Sequence, residues 1–167
     1  PGQKILLRGN HDYWWSSITK VRSVLPPTMY ALQNDALLLD GHVFCGTRGW
    51  ALPTMYYPLG EEDRKVFERE LIRLELSLDA AAKLRDRASV TVMMHFPPLL
   101  ADGMSTAFTK LLEARGVQRV VYGHLHGAGI KNGFIGKRNG IDYFLVSCDA
   151  VQFSPMCIIE EEGPPYL

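Results

Sequence analysis

The sequence predicts an α/β fold, a layered α-β-β-α sandwich of mixed sheets. Three observations support this prediction. Short apolar strand patterns alternate with helical patterns along the chain, and two Asx-Gly dipeptides mark hairpins, which require antiparallel pairs. A strand, loop, helix and strand also follow one another between residues 88 and 122. At 167 residues the chain fits a single domain, residues 1–167.

The strands are aliphatic runs that lie between turn residues. Pro-Gly and Gly9-Asn10 bound the first run, whereas Asp40-Gly41 and Asn139-Gly140 are typical of two-residue type I′ hairpin turns. The strands that we predict cover residues 4–8, 36–39, 42–45, 88–94, 118–122 and 143–147.

Three helices follow from apolar periodicity and from end signals. The first begins at Ser16 or Ser17 and ends at Pro26-Pro27. The longest begins at Glu61-Glu62-Asp63, where acidic residues complement the helix dipole. Its core-facing stripe is predicted to contain Phe67, Leu71, Leu74, Leu78 and Ala82. A third helix is expected at residues 105–115.

The charge balance limits the classes of partner. Lys plus Arg and Asp plus Glu both number 18, so no long-range field would hold nucleic acid or an anionic membrane non-specifically. No apolar run is long enough to span a bilayer, and no signal peptide is recognisable near Pro1. Cys45, Cys148 and Cys157 lack paired spacings, which indicates reduced thiols. We therefore expect a soluble, cytoplasmic protein of undetermined oligomeric state.

Four of the five histidines lie at or after the carboxyl end of a predicted strand, where loops gather into sites. They are His11, His95, His124 and His126. The two-residue spacing of His124 and His126 would place both rings on one side of an extended strand. Because imidazole is a common ligand of transition metals, this arrangement predicts a metal site.

Three short motifs at these positions resemble those of the calcineurin-like metallophosphoesterases. Gly9-Asn10-His11-Asp12 matches G-N-H-[DE], Met94-His95 matches an isolated strand-end histidine, and Gly123-His124-Leu125-His126 matches G-H-x-H. The motifs occur in the family's order, and the resemblance spans residues 3 to 150.

The resemblance implies a role for each matched residue. Asn10, His95 and His124 correspond to ligands of one divalent ion, and His126 to a ligand of a second; Mn, Fe and Zn are the candidate metals. His11 corresponds to the histidine that contacts the phosphate and protonates the leaving-group oxygen, with Asp12 holding its ring. The implied substrate is a phosphomonoester or phosphodiester, small or macromolecular.

The family's upstream D-x-H and G-D motifs, which provide further ligands including a bridging aspartate, are not found before Gly9. The four assigned ligands are all neutral, so the chain alone would hold two cations weakly. We therefore interpret the chain as a domain that is incomplete at its N-terminus, and expect little or no activity without an upstream segment. Asp102 and Asp149 could substitute as ligands, but we interpret both as turn or capping residues.

Two other interpretations remain open at this stage. The chain could be an inactive binding module with the same fold, or a zinc hydrolase with one ion held by His95, His124 and His126. Trp14 and Arg48 are further candidates, for substrate binding.

Overall fold

The structure is a computed structural model and describes residues 2–54, 58–86 and 88–159. In this part of the chain the elements are, in order, β1 (Lys4–Leu7), α1 (Ile18–Val24), β2 (Met29–Leu32), β3 (Ala36–Leu39), β4 (His42–Thr47), α2 (Glu61–Leu84), β5 (Val90–Met94), α3 (Ala107–Ala114), β6 (Arg119–Tyr122), a 3₁₀ helix (Gly127–Asn132), β7 (Gly136–Arg138) and β8 (Ile141–Leu145). The α/β class is confirmed.

The main sheet is mixed and has six strands in the order β3-β4-β5-β6-β8-β7. Its four central strands are parallel, and β3 and β7 pair antiparallel at the two edges. The last residues of the central strands, Thr47, Met94, Tyr122 and Leu145, lie in register across the sheet. Four loops therefore leave the sheet side by side from the carboxyl ends of these strands. This side of the sheet is called its carboxyl edge.

Two hairpins form the antiparallel pairs at the edges of this sheet. Asp40 and Gly41 have φ values of 47° and 76°, and Asn139 and Gly140 have values of 47° and 83°. Positive φ at both central residues is the type I′ geometry, so both predicted hairpins are confirmed.

The main core lies between this sheet and the helices α2 and α3. Buried side chains of α2, such as Leu74 and Leu78, pack with Phe108 and Leu112 of α3 and with the inward residues of β4, β5, β6 and β8. The predicted core-facing stripe of α2 is wrong at its last residue. Ala81 is buried at this end of the helix, whereas the predicted Ala82 is exposed.

The strands β1 and β2 form a separate parallel pair, which α1 covers. Trp15, Val21 and Ala31 are the buried centre of this second, smaller cluster. Ser17 caps α1 by accepting a hydrogen bond from the Lys20 N–H at 3.2 Å, as predicted. The strand β2 was missed, because its four residues show no alternation of apolar and polar side chains.

Other boundaries differ by a few residues from the expectation. β8 ends at Leu145, two residues earlier than predicted, and β4 continues to Thr47. Among the described residues, no helix is both long enough and apolar enough to cross a membrane.

Candidate metal centre

Three side-chain atoms from the three sequence motifs meet at the carboxyl edge of the main sheet. Nε2 of His95 lies 2.7 Å from Oδ1 of Asn10 and 3.1 Å from Nδ1 of His124. Ligands that bind one ion at ~2.0–2.1 Å, at angles of about 90–110°, are themselves about 2.8–3.4 Å apart. One oxygen and two nitrogens therefore lie close to the spacing that a shared divalent ion requires.

Backbone hydrogen bonds connect the loops that follow β4, β5 and β6, and the last two of these loops carry His95 and His124. The amides of His95 and Phe96 both donate to the carbonyl of Arg48, at 3.1 and 2.9 Å, which ties the loop after β5 to the loop after β4. The Gly123 amide donates to the His95 carbonyl at 3.2 Å and adds the loop after β6. His124 has a φ of 69°, so its backbone turns sharply at this point.

Gly9 permits the close approach of the first motif to His95. A Cβ at this position would lie 3.2 Å from Oδ2 of Asp12 and 3.2 Å from Cε1 of His95. Both distances are tighter than ordinary carbon contacts, so a larger residue would require the Asp12 carboxylate and the His95 ring to shift by a few tenths of an ångström. The glycine of G-N-H-D thus has a packing reason.

Burial keeps the two partly enclosed histidines in their neutral form. The pKa of His95 falls to about 4, first because of desolvation and then because of the neighbouring His124. Desolvation, followed by the charge of His126, also lowers the pKa of His124. Neutral rings at pH 7 retain lone pairs, which is the form that binds a metal.

His11 is exposed beside this cluster, and its ring makes an edge contact with Tyr13 at 6.2 Å between centroids. The Asp12 carboxylate accepts hydrogen bonds from the Gly9 amide at 2.6 Å and from Nε1 of Trp14 at 3.0 Å. These bonds shape the first loop. The expected contact between Asp12 and the His11 ring remains a prediction, and so does substrate binding by the exposed Trp14.

His126 faces a different partner from His124. Its Nδ1 lies 2.8 Å from Oδ1 of Asp149, in the segment after β8. Because the left-handed backbone at His124 interrupts the extended chain, the two-residue spacing expected of a strand does not apply here. The interpretation of Asp149 as a turn or capping residue leaves out this contact with His126. Asp102 does cap a turn, since it accepts from the Met104 amide at 2.9 Å.

Arg48, the other candidate for substrate binding, has partners inside the protein. Its Nη2 lies 3.5 Å from Oε1 of the fully buried Glu70, and its guanidinium stacks on Trp50 at 4.6 Å from the ring centroid. The Arg48 side chain retains 16% exposure. Its role toward a substrate remains a prediction.

The fifth histidine lies away from the centre. Asp40-Gly41-His42 has the letters of a D-x-H motif, but it forms the β3–β4 hairpin at the opposite end of the sheet. Nδ1 of His42 lies 2.9 Å from the Ser89 hydroxyl. This tripeptide therefore does not replace the family's upstream motif.

Two features near the centre were not predicted from the sequence. They are the burial of the Glu70 carboxylate and the contact of Asp149 with His126. Glu70 sits on the apolar face of α2, one turn before Leu74, and this position could have indicated its burial. The contact of Asp149 with His126 had no local signal, because the two residues lie 23 positions apart.

Comparison with known proteins supports the assignment from the motifs. The sequence model of the calcineurin-like phosphoesterases matches residues 2–128, which include all three motifs. No curated protein and no solved structure matches the chain. Since the match covers more than half of the sequence, the chain belongs to the calcineurin-like phosphoesterase family.

Proposed function

We propose that this chain forms part of a phosphoesterase that hydrolyses a phosphomonoester or phosphodiester at a site for two divalent ions. The convergence of Asn10, His95 and His124 carries the proposal, because an amide oxygen and two imidazole nitrogens from the three motifs lie at near-ligand spacing. These three would hold one ion, and His126 would contribute to the second. Bound divalent ions polarise a phosphoryl group and lower the pKa of water.

The protein's own residues would supply orientation and a proton. His11 is exposed and directly follows Asn10 in the same loop, so it would face a phosphate ester bound at the proposed ions. From this position its protonated ring would donate to the leaving-group oxygen, and general acid catalysis of this kind contributes typically about 10²–10⁴-fold.

The charge of the ligand set supports a need for additional carboxylates. All four assigned ligands are neutral, and two cations a few ångströms apart repel strongly. We propose that the complete site includes acidic ligands from outside the three motifs. The chain alone should accordingly bind metal weakly and hydrolyse esters slowly.

The first test is metal binding by the chain itself. Isothermal titration with Mn²⁺ and with Zn²⁺ compares the wild type, His124→Ala and the matched control His42→Ala, whose ring lies at the other end of the sheet. We expect His124→Ala to weaken binding at least tenfold and His42→Ala to leave it unchanged. Equal affinities in all three proteins would contradict the proposed centre.

The second test is hydrolysis of bis(p-nitrophenyl) phosphate and p-nitrophenyl phosphate with Mn²⁺. Rates are compared for the chain and for a form extended by the residues that its coding sequence places before Pro1. We expect metal-dependent hydrolysis in the longer form, lowered about 100-fold or more by His11→Ala. If the longer form is inactive, or if His11→Ala has no effect, the enzymatic proposal fails.

A further inference from the structure

The contact between Asp149 and His126 joins two neighbouring loops at the carboxyl edge of the sheet. β6 and β8 are parallel neighbours, so the loops that follow them start side by side. Oδ1 of Asp149 lies 2.8 Å from Nδ1 of His126, and Oδ2 accepts a hydrogen bond from the Gly127 amide at 2.7 Å. One carboxylate therefore holds both the ring of His126 and the backbone that follows it.

The Asp149 carboxylate is itself held in place. Its Oδ1 also accepts from the Ala150 amide at 3.1 Å, and the Ser147 hydroxyl donates to the Leu125 carbonyl at 2.5 Å. The two loops are thus connected on both sides of the ring. Oδ2 accepts from the Gly127 amide and Oδ1 from the Ala150 amide, so both oxygens act as acceptors, as those of an ionised carboxylate do.

This geometry determines which nitrogen of His126 is free. An ionised carboxylate can only accept hydrogen bonds, so Nδ1 must carry the proton. In the neutral ring the single lone pair then belongs to Nε2. Free histidine in water prefers the other tautomer, with the proton on Nε2, so the protein reverses the intrinsic preference.

We propose that Asp149 is a positioning residue, which orients His126 and holds it in the Nδ1–H tautomer so that Nε2 is ready to bind a divalent ion. The inference rests on the proposed role of His126 as a metal ligand. Asp149 lies outside residues 2–128, the part that the family model matches. Carboxylates that hold a ligand histidine in this way typically change metal affinity about 10–100-fold.

A different use of the same residues is direct ligation. Ligand atoms of His126, Cys148 and Asp149 all lie within 4.8 Å of one another, which would suit a thiolate-containing site. That arrangement would require the His126–Asp149 hydrogen bond to break if Nδ1 became the ligand. The hydrogen-bonded geometry favours the positioning role, and the two possibilities give different spectra.

The decisive measurement needs no metal. Long-range ¹H–¹⁵N correlation spectra of the chain, recorded where the histidines are neutral, report which nitrogen of His126 is protonated. We expect the Nδ1–H form in the wild type and a shift toward the Nε2–H form in Asp149→Ala. The control is Asp142→Asn, at the start of β8, whose carboxylate lies 3.4 Å from Lys137 and away from the site. An unchanged tautomer in Asp149→Ala would overturn the proposal.

Titration with Mn²⁺ then tests the consequence for binding. Asp149→Ala should weaken affinity about 10–100-fold, and Asp149→Asn less, because an amide oxygen still accepts from Nδ1–H. Asp142→Asn should bind as the wild type does. The His126 side chain is 57% exposed, so its surface pair adds little to folding, and thermal melting should show all variants folded.

Failure of this inference can be separated from failure of the proposed function. If His126→Ala weakens Mn²⁺ binding but Asp149→Ala does not, His126 is a ligand and the positioning role is wrong. If His126→Ala has no effect, the ligand assignment fails and the positioning role fails with it. A Co²⁺ complex with a thiolate charge-transfer band that disappears in Cys148→Ser would show direct ligation and would also overturn the proposal.

Discussion

Replacing the buried Glu70 tests how the segment of Arg48, which holds the backbone of His95, is stabilised. Its carboxylate is fully buried on α2, where Oε2 accepts from the Thr47 hydroxyl and Oε1 accepts from Nη1 of Arg73 at 2.7 Å. Arg48, whose carbonyl holds the amide of His95, lies 3.5 Å from Oε1. The Glu70 carboxylate thus compensates the positive charge of Arg48, whose backbone positions His95.

The change Glu70→Gln keeps the shape of the side chain and removes its charge. At 3.5 Å and an effective dielectric constant of about 20, the attraction to Arg48 is about 5 kcal/mol, of which desolvation offsets a part. Arg73 is one-third exposed, so water can hydrate its guanidinium when the ion pair with Glu70 is lost. The loss of this second pair therefore contributes little to the change in stability. We expect a loss of about 2–4 kcal/mol in the free energy of unfolding.

Urea unfolding followed by circular dichroism measures this loss. For a chain of this size, about 3 kcal/mol corresponds to a fall of about 6–12 °C in Tm. The matched control is Glu75→Gln, on the same helix but at an exposed pair with Arg115, and it should change stability by less than about 0.5 kcal/mol. A Glu70→Gln protein within 1 kcal/mol of the wild type would refute the reasoning.

Three further predictions concern the ligands, the sheet and the thiols. Asn10→Asp adds a charge to a neutral ligand set and should tighten Mn²⁺ binding at least tenfold in calorimetric titration; an unchanged affinity would argue against an ion at this position. Gly46→Ala would place a Cβ 1.9 Å from a β5 carbonyl oxygen and should abolish soluble expression or lower Tm by more than 10 °C, whereas Gly60→Ala, with open space, should not. Burial raises the pKa of Cys45 to about 12, so a thiol reagent at pH 8 should label the exposed Cys148 and spare Cys45; modification of native Cys45 would contradict its burial.

Features with local causes were predictable from the sequence. The hairpin turns at Asp40-Gly41 and Asn139-Gly140 need positive φ at both central positions, which these residue types allow. Ser17 caps the helix that follows it through a bond three residues away. Each of these depends on interactions within a few residues, so the local sequence specifies them.

The order of strands in the sheet was not predictable in the same way. The short strand β2 pairs with β1, from which α1 separates it along the chain. Nothing in the four residues of β2 selects that partner. The pairing of β6 with β8 instead of β7 likewise decides which loops become neighbours. These choices depend on packing over the whole domain.

By itself, the sequence determined the candidate ligands, because Asn10, His95, His124 and His126 belong to motifs whose residue types suit divalent ions. It also determined that they follow strands. Tertiary structure alone decided which atoms meet: Nε2 of His95 against Asn10 and His124, Glu70 beneath Arg48, and Asp149 against His126. The physical reason is that side chains separated by 22 to 85 positions come into contact only when sheet order and burial bring their strands side by side.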